Sequence, residues 1–306
     1  MRKSKSLPDF AVSLHAYQQL KEYARAFADG HLNLLMVLGE PGLGKSRAIR
    51  EVVGERACWI DGTASPFGIY MEAYIHRDRP FVLDDVDGLN TSKNGVRLLK
   101  SLCQTEPLKT VCWHTDAATL DRRGIPRQFT TASRVAVIAN QWKTLNADVL
   151  ALEDRGHVIS FEPLAAEVHR QAATWFWDQE IFDFVAAHLH LIDRPSLRTY
   201  VLAYELKRAG LDWIQGVLSR CLTGTALKVA RLKADSRYKT EEERAQAFIA
   251  YGFGCRATYF NHASKLSPPE DVPRILLVNS SPPTPVLPQP DILEVLRQRF
   301  GKLGSG

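Results

Sequence analysis

Long apolar runs are missing from this 306-residue chain. The most apolar stretch, LNLLMVL at 32–38, is far short of the ~18 residues that a membrane-spanning helix needs. A membrane bundle is thereby excluded. The opening residues MRKSKSLPDF are basic but lead into no apolar segment of a secretory leader, so the expectation is a cytoplasmic protein. Cysteine is sparse: five thiols at 58, 103, 112, 221 and 255, odd in number, with none in a CxxC pair or a Cys/His cluster. That spacing argues against a disulfide scaffold and for small, reduced, buried thiols. No repeat of solenoid period recurs.

What is present is a globular composition, 45% hydrophobic and 24% charged, which argues against a disordered or collagen-like chain. At ~100–200 residues per domain, the length points to two or three domains. The net charge of +5 is unevenly placed. Between Trp213 and Lys265 nine Lys/Arg face four acids, so this one segment carries the whole excess of +5. Such asymmetry is what a nucleic-acid contact produces.

The pattern divides the chain into five parts. Residues 1–12 read as a loose tail. From Ser13 to Asp29 apolar residues recur at helical spacing, and Gly30 supplies a stop signal. Five short apolar segments follow, at 32–39, 57–62, 79–86, 134–140 and 157–163, with KTVCWH at 109–114 a sixth candidate. Strands this uniformly apolar are buried on both faces, so the fold class is α/β with a parallel five-stranded sheet and helices on both faces, spanning 13–163. Residues 164–210 read as helices only, with Trp175 and Trp177 packing their core. Residues 211–266 form a small basic helical domain. Beyond it, eight of the sixteen prolines crowd into 268–290, so 267–306 is an extended tail ending in a short amphipathic helix. Ile292, Leu293, Leu296 and Phe300 would give that helix a stripe for docking on a protein partner.

The strongest chemical signal is GEPGLGKS: Gly39, Glu40, Pro41, Gly42, Leu43, Gly44, Lys45 and Ser46, followed by Arg47 at the start of a helical stretch. Glycines let successive backbone N–H groups face phosphates, and the helix N-terminus adds partial positive charge. Lys45 would neutralise phosphate, and the Ser46 hydroxyl would hold Mg²⁺. This is an NTP site, with ATP and Mg²⁺ as its expected occupants. FVLDDVD then places Asp84 and Asp85 at the carboxyl end of an apolar strand, where parallel sheets bind ligands. Asp84 would hold Mg²⁺; Asp85 would orient or deprotonate the attacking water, or else only cap the next helix. Asn140 ends another buried strand, where its amide would bond both the γ-phosphate and the water, or serve as a turn residue.

In this order the motifs resemble the AAA+ ATPase family. GEPGLGKS resembles its Walker A, FVLDD its Walker B and VIAN its sensor 1; LEDRG at 152–156 sits where the family carries an arginine finger, and PSLR resembles the sensor 2 that opens a lid helix. The resemblance covers about residues 13–210. Many members carry Asp-Glu where this chain has Asp84-Asp85, although bacterial replication initiators and some transposition-associated ATPases also use Asp-Asp. The resemblance implies a ring or spiral of identical subunits with ATP at their interfaces. Arg155 would reach a neighbour's γ-phosphate, with Arg122, Arg123 and Arg127 as rivals, and Arg198 would contact the γ-phosphate of its own subunit.

Residues 241–266 look like a helix-turn-helix with a glycine turn at 252–254. Ala257 and Phe260 would face inward, leaving Arg256, Thr258, Tyr259, Asn261, His262 and Lys265 for DNA phosphates and base edges. The alternative is a bundle with a solvated basic face. The function expected is a DNA-associated ATPase that oligomerises with ATP and assembles, remodels or releases a nucleoprotein complex. A protein-remodelling motor and an ATP-dependent switch with little turnover are the competing readings.

Overall fold

The computed structural model describes residues 8–86, 93–114, 118–140, 154–192 and 194–266. The proline-rich tail and its terminal stripe lie outside the described residues. The chain divides into two compact units, 1–164 and 165–306.

The first unit is built on a parallel sheet of six strands: β1 (Val12–Leu14), β2 (Leu34–Leu38), β3 (Cys58–Asp61), β4 (Phe81–Asp84), β7 (Val135–Ala139) and β8 (His157–Phe161), in the order β1-β8-β2-β7-β4-β3. Five strands were expected, and the five apolar segments supply five of the six. The sixth is β1, whose three residues pair with β8 in the register Val12↔Ile159 to Leu14↔Phe161. The helix expected from Ser13 therefore starts later, as α1 (Tyr17–Ala28). Leu14 belongs to the strand although it fits the helical period, because the β8 edge offers its backbone a ladder. The 109–114 segment forms β5 (Lys109–Cys112), but outside the main sheet. It pairs antiparallel with β6 (Gln128–Thr131) in a separate two-stranded ribbon.

Both faces of the main sheet are covered. On one face Leu34, Met36, Leu38, Phe81, Leu83, Val135 and Val137 share a core with side chains of α3 (Pro66–Ile75), α4 (Lys93–Leu102) and α5 (Ala118–Arg123). The alternate residues Leu35, Val37, Val82, Ala136, Ile138 and Ile159 are equally buried on the other face. There α1 and α2 (Lys45–Val53) bring in Tyr17, Leu20, Phe27 and Ile49. Period-2 alternation with no polar face is the signature of a strand sealed between helix layers. All carboxyl ends of the strands lie at one pole of the sheet, and the loops there hold the site.

The second unit is helical throughout its described residues: α6 (Ala165–Ala172), α7 (Gln179–Ala187), α8 (Arg198–Arg208), α9 (Trp213–Cys221), α10 (Gly224–Ala234), α11 (Glu241–Ala250) and α12 (Arg256–Leu266). The Asp178 side chain caps α7 through the Ile181 amide and holds Lys207 by two bonds of 2.8 and 2.9 Å. Of the two tryptophans expected in a core, Trp177 is 61% exposed and rests edge-on against Tyr204. Phe176 between them takes the buried place. The break between α6 and α7 turns Trp177 away, since 173–178 no longer follows helical phase. No helix among the described residues is long and apolar enough to cross a membrane.

Candidate active site

Residues 39–44 bridge β2 and α2. Gly44 is the N-cap of α2 with φ of 71°, a left-handed conformation that a side chain would strain. Gly39 serves a different need: a β-carbon there would stand 2.5 Å from the carbonyl oxygen of Phe161 at the end of β8. The loop is also held from α1, where the buried Tyr17 hydroxyl donates to the Leu43 carbonyl at 2.7 Å. Tyr17 carries no phosphate-binding signal in the sequence, where it reads as one more apolar helix position.

Lys45 opens α2 and is only 5% exposed. Its ammonium donates to the carbonyls of Gly39 (2.7 Å) and Glu40 (3.0 Å) and to Oδ1 of Asn140 (3.1 Å). Ser46 Oγ donates to Asp84 Oδ1 at 2.8 Å. Glu40, Pro41 and Arg47 are exposed, and Arg47 pairs with Glu51 one turn along. The first amides of α2 have no intrahelical acceptor, so a buried ammonium and a helix N-terminus converge on one small volume.

The carboxylates form a tight set. Asp84 pairs in register with Asp61 at the end of β3, and Asp85 follows it in the chain. Burial pushes the Asp84 carboxyl up; the Ser46 hydrogen bond opposes this, and the charges of Asp85 and Asp61 add to it. A divalent cation would relieve that strain. Hydroxyl and carboxylate are the hard oxygen donors that Mg²⁺ prefers, so Ser46 and Asp84 fit it. Asp61 was not singled out from the sequence; only the parallel pairing of β3 with β4 brings it alongside.

Asp85 has φ of 46°, the one non-glycine residue in the left-handed region among the described residues. Its carboxylate accepts from the backbone N–H of Asn140 (3.2 Å) and from the Asn140 side-chain amide (2.6 Å). The ends of β4 and β7 are thus cross-linked by the two residues expected to handle the water and the γ-phosphate. Strain of this kind persists where neighbouring structure over-determines it, as at sites of function.

The arginines are dispersed. Arg155 precedes β8, and its guanidinium donates to the Lys100 carbonyl at 3.1 Å, near the end of α4. Strand β2 reaches the loop beside Ser160, while Arg155 lies in the turn before β8 begins at His157, so at least ~10 Å of strand rise separates Arg155 from its own phosphate loop. Arg127 makes a two-pronged pair with Asp121, and Arg122 and Arg123 are exposed on α5. Arg198 is exposed at the first position of α8, in the second unit.

In the second unit α11 and α12 are joined by a turn through Gly252 and Gly254. The inward face of α12 differs from expectation. Tyr259, Ala263 and Leu266 are buried, whereas Ala257 is exposed and Phe260 half-buried. Tyr259 was expected to face DNA; it is fully buried, packs edge-on against Phe248, and donates its hydroxyl to Glu241 at 2.7 Å. The i, i+4, i+7 stripe 259/263/266 buries more surface than the 257/260 pair, which sets the phase of the helix. Arg256 is exposed but donates to the Glu242 carboxylate from Nε (3.1 Å) and Nη2 (2.7 Å). Asn261 and Lys265 are exposed, and Thr258 and His262 half-buried.

No family model matches the chain. The "uncharacterized 36.7 kDa protein in nrdC-mobD intergenic region" of Enterobacteria phage T4 is 26% identical over 121 residues, which is 37% of each chain. The chain thus spans little more than a third of that relative's length. Among solved structures it is similar to a Rhizobiales Trip13, with TM-score 0.35 and 12% identity over 66% of this chain and 86% of that one. It is also similar to NtrX from Brucella abortus in complex with ATP, with TM-score 0.33 and 14% identity over 97% of this chain and 61% of that one. Likeness of this degree assigns neither activity nor partner to the chain.

Proposed function

We propose that the chain is a magnesium-dependent ATPase of the AAA+ type that works in a DNA-associated assembly. The observation that carries the ATPase reading is the convergence of Lys45, the Ser46–Asp84 pair and the Asp85–Asn140 pair at one pole of a parallel sheet. Ser46 and Asp84 would hold Mg²⁺, which would supply neutralisation of phosphate charge. Lys45 exchanges its carbonyl partners for phosphate oxygens, and the Asn140 side-chain N–H leaves the Asp85 carboxylate to donate to the γ-phosphate, which frees that carboxylate for water. Asp85 orients a water and draws its proton as the water oxygen bonds to the γ-phosphorus and the bond to ADP breaks. Arg155, remote from its own loop, is left to act on the nucleotide of an adjacent copy, where such a guanidinium is worth ~10³–10⁵ in rate.

The DNA reading rests on charge placement. The excess of +5 lies in 213–265, and Asn261 and Lys265 are exposed there. Lys228 of α10 lies 4.6 Å over the ring of Phe253, in the turn after α11, and adds a cation that suits a nucleic-acid backbone.

Phosphate release should depend on Lys45 and Asp85 and rise with protein concentration as copies assemble. If Asp85→Asn turns ATP over at the wild-type rate, the hydrolytic reading is wrong. Duplex affinity should fall steeply as salt rises and should weaken in an Arg256→Ala, Lys265→Ala double variant. A flat salt response would remove DNA from the proposal. A switch with little turnover is favoured by one observation, the engagement of Asp85 by both donors of Asn140. Binding of ATP without phosphate release in the presence of DNA would select it.

A further inference from the structure

We propose that Cys58, Glu72 and His76 form a binding site for a divalent cation of the zinc class. These residues lie on a strand and on the helix that follows it, at spacings that match no metal-ligand motif. Cys58 is the first residue of β3, the edge strand of the main sheet. Glu72 lies in the last turn of α3, and His76 follows its end, four residues on, so both project from one face. The Cys58 sulfur, a Glu72 carboxylate oxygen and a His76 ring nitrogen all lie within 4.8 Å of one another.

The chemistry of the donors is selective. Thiolate with imidazole prefers zinc-class ions to Mg²⁺ or Ca²⁺, and three protein ligands leave a fourth position for water. The Glu72 Oε2 to His76 Nε2 distance is 3.5 Å. Ligands held at ~2.0–2.3 Å around a tetrahedral ion stand roughly 3.3–3.7 Å apart, so this pair already has the spacing and the thiol needs to close by no more than about 1.5 Å. Thiolate and carboxylate together supply two negative charges for a divalent ion, and the thiol proton leaves to solvent on binding. The site is distinct from the phosphate loop. Cys58 stands three residues before Asp61, ~10 Å of strand rise from the carboxyl pole. An ion there would pin the end of α3 to the start of β3 and so clamp the open edge of the sheet.

The test is titration of the metal-stripped full chain with Co²⁺ alone, followed by optical absorption. One equivalent should produce a thiolate-to-cobalt charge-transfer band, and Zn²⁺ should abolish it by competition. Cys58→Ser should lose the band, while His76→Asn and Glu72→Gln should weaken Co²⁺ binding about tenfold or more. Saturating Mg²⁺ and ATP should leave the band intact, since the phosphate site contains no sulfur. Absence of a charge-transfer band in the wild type overturns the proposal, as does a band that survives Cys58→Ser. If Cys58→Ser does not fold, the two variants on partly exposed positions decide. Unchanged Co²⁺ affinity in both overturns the site; weakened affinity with an unchanged metal-free circular dichroism spectrum upholds it.

Discussion

Asp85 allows stability and turnover to be separated at one position. Its φ of 46° costs an L-residue other than glycine about 1–2 kcal/mol, less for Asp or Asn. Against this stand two hydrogen bonds from Asn140, at 2.6 and 3.2 Å, each worth about 0.5–1 kcal/mol at a site open to water. Asp85→Gly removes the strain and the bonds together, so its stability should stay within about 1 kcal/mol of wild type. Asp85→Ala loses the bonds and keeps the strain. It should be less stable than the glycine variant by about 1 kcal/mol or more, a difference of ~3 °C in melting for a unit of this size. Both variants lack the carboxylate proposed to position water, so on that proposal both should lose ~10²–10⁴ in phosphate release. The assay pairs thermal melting without nucleotide with steady-state phosphate release at saturating ATP. Equal melting of the Ala and Gly variants would refute the backbone argument. Wild-type turnover by the glycine variant would refute the role of the carboxylate.

Acid should weaken the second unit through His169. That ring is 1% exposed and stacked 3.8 Å from Phe182, and burial pushes it down to about 4, with Asp183 opposing. A histidine kept neutral in the fold loses stability as pH falls from ~6.5, where the unfolded chain begins to take the proton, towards ~4, by about 3 kcal/mol in all. Chemical denaturation at pH 7.5 and pH 4.5 should show this slope, and His169→Phe should flatten it. Glu242→Gln should free Arg256 from its exposed pair and raise duplex affinity about threefold or more at low salt, read by fluorescence anisotropy. Unchanged affinity would mean that α12 does not meet DNA. Tyr17→Phe deletes only the hydroxyl that holds the Leu43 carbonyl and should weaken ATP binding severalfold, with a stability loss of about 1 kcal/mol. Calorimetry showing wild-type affinity would remove α1 from the description of the site.

The phosphate loop was legible because its chemistry is carried by contiguous residues, and the strand before it and helix after it are both strongly patterned. Asp84 and Asn140 were legible for a related reason: each ends an apolar run, and parallel topology brings such ends to one pole. Asp61 and Tyr17 were not, because each acquires its place through a partner distant in sequence. Strand β1 escaped because three residues carry almost no period, and Leu14 fits a helix equally well. Tyr259 was misplaced because α12 offers two short apolar stripes, and only packing against Phe248 and Glu241 chooses between them. The Cys58 cluster illustrates the same limit: a strand and the face of the following helix meet only after the chain has folded back.

The pairing of β1 with β8 bears on the nucleotide in a way its three residues do not suggest. Leu14 accepts from the Glu162 amide, Phe161 at the end of β8 crowds Gly39, and α1, which begins three residues after β1, carries Tyr17 to Leu43. The phosphate loop is therefore gripped from two sides by elements that share one fragile ladder. Filling the loop should slow hydrogen exchange at the amides of β1, and exchange there would report occupancy from the rim of the sheet. Conversely, a ligand or chain that peeled β1 from β8 would empty the loop without touching it, which makes this short edge a place from which turnover could be governed.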